Sequence, residues 1–217
     1  MIPSRRIFAS VAMAAALAGC AGEGDLVINE GVGITAVRTA CPAVGVPDYT
    51  GDVTVFRTAG DRSAANIDYT ATMTNVRSTC DESAGDRVYS EASFDVYARR
   101  ADASDARRVE IPYFSTVLRG GSAVQTKRVG TVVIDFAAGQ ERAQGTGRAG
   151  AFVDRAAASL PQDIRDQITR RRRPGDPDAA LDPLADPEVR AALARANFEL
   201  LVGFQLTEDQ LVYNATR

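Results

Sequence analysis

From Leu26 onward the chain alternates between apolar and polar positions. In "GVGITAVRTAC", Val32, Ile34 and Ala36 share one side, and "DVTVFRT" follows the turn-like "PDYTGD". "IDYTATMTN" sets Ile67, Tyr69, Ala71 and Met73 against Asp68, Thr70, Thr72 and Thr74. "RVYSEASFDVYARR" sets Val88, Ala92, Phe94, Val96 and Ala98 against Glu91 and Asp95. "RRVEIPYFSTVL" alternates through Val109, Ile111, Tyr113 and Val117, and "VQTKRVGTVVIDF" is a longer run with Gly130 as a kink. A period of two is that of a strand with one buried face. The connections "DESAGD", "ADASDA" and "RGGSA" are polar and carry glycine, as hairpin loops do. Pro112 has no N–H to give a ladder, which predicts an edge or a bulge for its strand.

Near Gly150 the spacing changes. In "AFVDRAAASL", Phe152, Ala156 and Leu160 fall at helical intervals beside Val153 and Ala157. "PQDIRDQITRRRR" carries acids early and arginines late, with Pro161 at a first helical position and Pro174 beyond its end. Asp186-Pro187 reads as an N-cap and first turn, opening a helix with Val189, Leu193 and Ala196 on one face. "ANFELLVGFQL" returns to alternation through Phe198, Leu200, Val202, Phe204 and Leu206; "TEDQ" then turns and "LVYNATR" pairs back. The preceding "GQERAQGTGRAG" lacks the third glycine of a dinucleotide loop and reads as a flexible hairpin or a strand-to-helix connection. Together these patterns predict a mainly β fold: an antiparallel two-layer β-sandwich with a helical insertion before the last strands. It is immunoglobulin-like in outline, although the chain has no tryptophan to mark a true immunoglobulin domain. Residues 26–217 form one domain with the insertion at about 150–195.

The first residues have a different character. Arg5 and Arg6 precede a run from Ile7 to Ala18 that is apolar except for Ser10, too short for a membrane span and shaped like a secretory leader. It ends in Leu17-Ala18-Gly19-Cys20, which resembles the lipobox of bacterial lipoproteins. The resemblance implies that residues 1–19 are a signal peptide cut before Cys20. It also implies that the Cys20 thiol takes a diacylglycerol, that the new amine is acylated by a fatty acid such as palmitate, and that residues 20–25 form a tether. Two or more acyl chains give stable anchoring, since each buried methylene contributes about 0.8 kcal/mol. Ser4-Arg5-Arg6-Ile7-Phe8 resembles a twin-arginine export signal, but Ala9 and Ser10 stand where that signal favours Leu and Lys, so the export route stays open. Ala21 and Gly22 follow the anchor without an Asp. By the lipoprotein sorting rule that implies the outer membrane, with the body facing the periplasm.

Charge and cysteine narrow the function. Removing the leader takes two arginines and no acid, which leaves a net charge of −5 and no case for nucleic-acid binding. The chain has no histidine, so a Ser-His-Asp or Cys-His centre and a His-ligated zinc or haem are excluded. With Cys20 lipidated, Cys41 and Cys80 are an even pair in an oxidising compartment and are expected to form a disulfide.

Few residues suggest chemistry. Arg170, Arg171, Arg172 and Arg173 could grip a phosphate, because guanidinium forks match phosphate oxygens; they also sit where a helix end favours cations. Asp176, Asp178, Asp182 and Asp186 lack the spacing of a calcium loop and read as turn openers and caps. Asp135 and Glu141 are scattered carboxylates of the kind a glycosidase pairs. The expectation is an envelope-anchored, non-catalytic lipoprotein that works as a protein-interaction or assembly module, with no metal or cofactor. Two alternatives stay open: a binding module for lipopolysaccharide or peptidoglycan through Arg170–Arg173, and a His-free carboxylate hydrolase.

Overall fold

The computed structural model describes residues 39–217 apart from 84, 171, 172, 174 and 178–180. The leader, Cys20, the alternating run at Val32–Ala36, Arg171, Arg172 and Asp178 therefore lie outside the described residues. Eight strands follow in order: β1 (Ala43–Gly45), β2 (Asp52–Phe56), β3 (Ile67–Asp81), β4 (Arg87–Arg100), β5 (Arg107–Arg119), β6 (Ala123–Phe136), β7 (Arg142–Asp154) and β8 (Phe198–Phe204). They form two four-stranded sheets, β2-β3-β4-β7 and β1-β8-β5-β6, the two layers of a β-sandwich. Every pairing is antiparallel except that of β1 with β8.

The alternation carries the core. On β4, Val88, Ala92, Phe94, Val96 and Ala98 are all buried, and Tyr69, Ala71 and Met73 of β3 join them. They meet Val109, Ile111 and Val117 of β5, Val132, Ile134 and Phe136 of β6, and Leu200, Val202 and Phe204 of β8 in one cluster. Cys41 and Cys80 form a disulfide with Cα atoms 6.0 Å apart, tying the chain ahead of β1 to the end of β3.

Three expectations are corrected. First, β5 is not an edge: β6 pairs along one side of it and β8 along the other. Pro112 is tolerated because the β8 ladder stops at Tyr113, and beyond it the Pro112 carbonyl accepts from the Gln205 N–H at 2.9 Å. The register shift on β5 lies five residues on, between Val117 and Leu118.

Second, the glycine-rich run is strand β7, which extends to Asp154, so Phe152 stands on a sheet face rather than a helix. Its glycines answer close approaches and not a need for flexibility. A Cβ on Gly145 would lie 2.6 Å from the Val133 carbonyl oxygen, and one on Gly147 would collide with the Phe94 ring. Third, the final segment is a helix. Thr207 and Gln210 of "TEDQ" form a capping box, with Gln210 Oε1 accepting from the Thr207 N–H at 2.9 Å and Thr207 Oγ1 from the Gln210 N–H at 3.3 Å.

The helices are α1 (Arg155–Ala158), α2 (Gln162–Thr169), α3 (Pro187–Ala196) and α4 (Glu208–Thr216). Asp154 caps α1 by accepting from the Ala157 N–H, and Asp186 caps α3 through the Glu188 and Val189 N–H groups, as its place before Pro187 predicts. Ile164 and Ile168 of α2 pack with Val189 and Ala192 of α3 in a second, smaller core of their own. Helix α4 packs against the edge strand β2. Asn214 Nδ2 donates to the Tyr49 and Asp52 carbonyls, each at 2.8 Å, and Tyr213 meets Phe56 edge-on at 5.2 Å. Covering an edge in this way blocks strand-to-strand association there.

Candidate functional site

The chain crosses between the sheets at one end of the sandwich through residues 101–106 and 137–141. Arg100 closes that end. It is 2% exposed, and its Nε donates to the Gln140 carbonyl at 2.8 Å. Its Nη atoms reach Asp105, Ala103 and Ala137 carbonyls at 2.6, 3.2 and 2.9 Å. The guanidinium lies 5.0 Å from the centre of the Phe136 ring. A buried cation is costly unless its donors are satisfied. Here four carbonyls from two crossovers satisfy it, so both turns are held by one side chain.

The opposite end carries the disulfide, α1, α2 and α3, and a cavity of about 470 Å³. Its apolar wall comes from the rim of the second core: Leu160, Leu184 and Leu193 are only half-buried because they face this space, with Ile168 beneath them. Ala40, next to the disulfide, and Ala158 of α1 complete the apolar lining. Arg155, Arg165 and Glu82 supply the charges. Arg155 is committed to structure: its Nε donates to the Gly85 carbonyl at 2.7 Å, and a terminal nitrogen donates to the Glu82 carbonyl, bracing the β3–β4 turn. The Arg165 side chain donates through one terminal nitrogen to the Leu160 carbonyl at 3.3 Å. The hydroxyls of Ser159 and Thr169 donate back to the Arg155 and Arg165 carbonyls.

A second hollow, of about 260 Å³, lies at the Arg100 end and contains Arg99, Thr70 and Glu141. Glu141 is paired with Arg99 at 3.3 Å, and Asp135 lies 3.8 Å from Arg108. Each of these two cavities presents one carboxylate, Glu82 in the larger and Glu141 in the smaller. Among the described residues no three or more Cys, Asp or Glu side chains gather as a metal site would require. No described helix is long and apolar enough to cross a membrane.

Of the arginine run, Arg170 follows α2 and Arg173 donates its N–H to Asp176 at 2.9 Å; both are exposed. Asp182 and Asp186 are helix caps. The described sequence-derived site residues therefore do not line the larger cavity, and no motif singles out the residues that do. The available signal was the amphipathic pattern of Leu160, Ile164 and Ile168 beside Arg165, a pattern shared with any surface helix. The chain matches no protein-family model, no curated protein and no solved structure.

Proposed function

We propose that this chain is an exported, lipid-anchored envelope protein whose sandwich acts by contact rather than by catalysis. The observation that carries the reading is the Cys41–Cys80 bridge. It uses two of the chain's three cysteines, leaving Cys20 as the odd one at a position that resembles a lipobox. A structural disulfide belongs to an oxidising compartment, which agrees with export. Contact rather than turnover is supported by the absence of histidine and by the single carboxylate in each of the two cavities. Ala21 and Gly22 favour the outer membrane, with the body in the periplasm and another envelope component as partner.

The test is metabolic labelling with radioactive palmitate in a bacterial host, followed by membrane fractionation. The wild-type chain should carry label and sediment with membranes. Cys20→Ser should lose the label and move to the soluble fraction. An unlabelled wild-type chain, or a Cys20→Ser chain that stays with the membrane, overturns the anchor. In-cell crosslinking from exposed positions of α2 and α3 then identifies what the body touches.

A further inference from the structure

We infer that the cavity bounded by α1, α2 and α3 takes a single-chain amphiphile, with an aliphatic body against the leucine wall and an anionic head on Arg165. The inference rests on the reading of this protein as a binding rather than a catalytic module, and it supplies a ligand class for it.

The volume of about 470 Å³ is in the range of pockets that enclose one small ligand. None of the described lining side chains is aromatic, so they offer neither a nucleobase nor a sugar ring a stacking surface. Of the lining alcohols, Ser159 and Thr169 have given their protons to the backbone, and Thr39 Oγ1 accepts from the Cys41 N–H at 3.2 Å. The wall therefore offers little to a polyhydroxyl compound. What it offers is aliphatic surface: Leu160, Leu184 and Leu193, each left half-exposed by the small core behind it. An apolar pocket with a few convergent polar groups fixes orientation through those groups.

The head group follows from the arginines. Among the described lining residues Arg155 and Arg165 outnumber the one acid, Glu82, so the local balance favours an anion. Arg155 is spent on two carbonyls of the β3–β4 turn. Arg165 keeps most of its five donors, in a fork that matches a carboxylate. A fatty carboxylate meets both requirements at once.

The test is titration calorimetry on the full chain carrying Cys20→Ser, which removes acylation and alters none of the described residues. Because no acyl group of its own is present, the result does not depend on whether the wild type is anchored. The probes are decanoate and its neutral counterpart decanol, both below their self-association concentrations, with acetate as the head group alone. Decanoate should bind at least tenfold more tightly than decanol, with a negative heat-capacity change, and acetate should give no signal. Arg165→Gln should bring decanoate down to the affinity of decanol and leave decanol unchanged. Thr169→Trp, a substitution at an exposed position that fills the cavity, should abolish binding of both while the circular dichroism stays the same. The inference is overturned by an absence of binding, by decanol equalling decanoate in the parent chain, or by binding that survives Thr169→Trp.

Discussion

The two ends of this sandwich solve the same problem differently. Each must fasten connections that leave the sheets. At the Arg100 end the two crossovers are short, and one buried guanidinium fastens them by donating to their backbone carbonyls while lying over a ring face. At the other end a covalent bridge fastens the chain ahead of β1, and a run of short helices stands beside the β3–β4 turn. The closed end leaves its cation almost without exposed surface. The bridged end keeps its own small core, and that core does not fill the space beside it. A site needs such unspent surface, which is why the ligand is assigned to the bridged end.

The largest way to break the contrast is to remove the bridge. Cys41→Ala with Cys80→Ala opens a loop with a sequence separation of 39, which the chain-entropy model values at about 4 kcal/mol. Urea denaturation should show that loss as a fall in the midpoint. The same pair of substitutions loosens Ala40 in the cavity wall, so decanoate affinity should fall with it. An unchanged midpoint would mean that the bridge constrains nothing the fold depends on.

Arg100→Met attacks the other end. The substitution keeps an apolar stem over Phe136 and takes the side-chain donor from four carbonyls; Ala103 still accepts from the Gly139 N–H and Ala137 from the Gln140 N–H, which leaves the Asp105 and Gln140 carbonyls to be satisfied. An acceptor left unpaired costs about 1–3 kcal/mol, and Asp105 and Gln140 are exposed residues whose carbonyls water can reach, so the expected loss for the two is about 3 kcal/mol. Decanoate affinity, measured under conditions where both chains are folded, should not move. If it does, the two ends are coupled through the sheets and the contrast fails.

Between the ends, Gly147→Ala places a methyl against the Phe94 ring in the middle of the core. Overpacking of this kind costs about 1–3 kcal/mol, here read as a lower denaturation midpoint with both ends intact. This position also explains what the sequence conceals. The period-two runs made β3, β4, β5, β6 and β8 legible, together with their inward residues, because one buried face leaves a direct signature. Strand β7 was hidden since its glycines exist to admit a neighbour's ring or carbonyl, and a contact partner is invisible along one chain. Helix α4 carries its signature in Thr207-Glu208-Asp209-Gln210, a capping box, although those residues also read as a turn with "LVYNATR" pairing back behind it. The disulfide followed from counting cysteines. The cavity did not follow from anything local, because its wall is assembled from α1, α2, α3 and the chain beside Cys41. Arg100 was hidden for a like reason: the end of an alternating strand says nothing of the two turns that will fold over it.

The smallest expected effect sharpens the Arg100 end. Asp68, at the start of β3, takes both forks of Arg107 from the start of β5, each at 2.7 Å. Those hydrogen bonds hold the Asp68 carboxyl below its ordinary value, against the opposing effect of partial burial. A lowered value in the folded state means that folding favours the carboxylate. The stability it adds is fully present above the unfolded value, about 3.9, and is lost as the pH falls through the folded one. The Arg107 guanidinium is 41% exposed, so solvent screens the pair and its worth is about 1 kcal/mol despite the bidentate geometry. Asp68→Asn should therefore lower stability by about that amount at pH 7. The difference from wild type should shrink as the pH drops below about 4, where the carboxyl of the unfolded wild-type chain takes up a proton while the folded one still holds its charge. Denaturation midpoints of the two chains from pH 7 down to pH 3 make the comparison. A gap that stays constant over that range would assign the Asp68 contribution to packing rather than to charge.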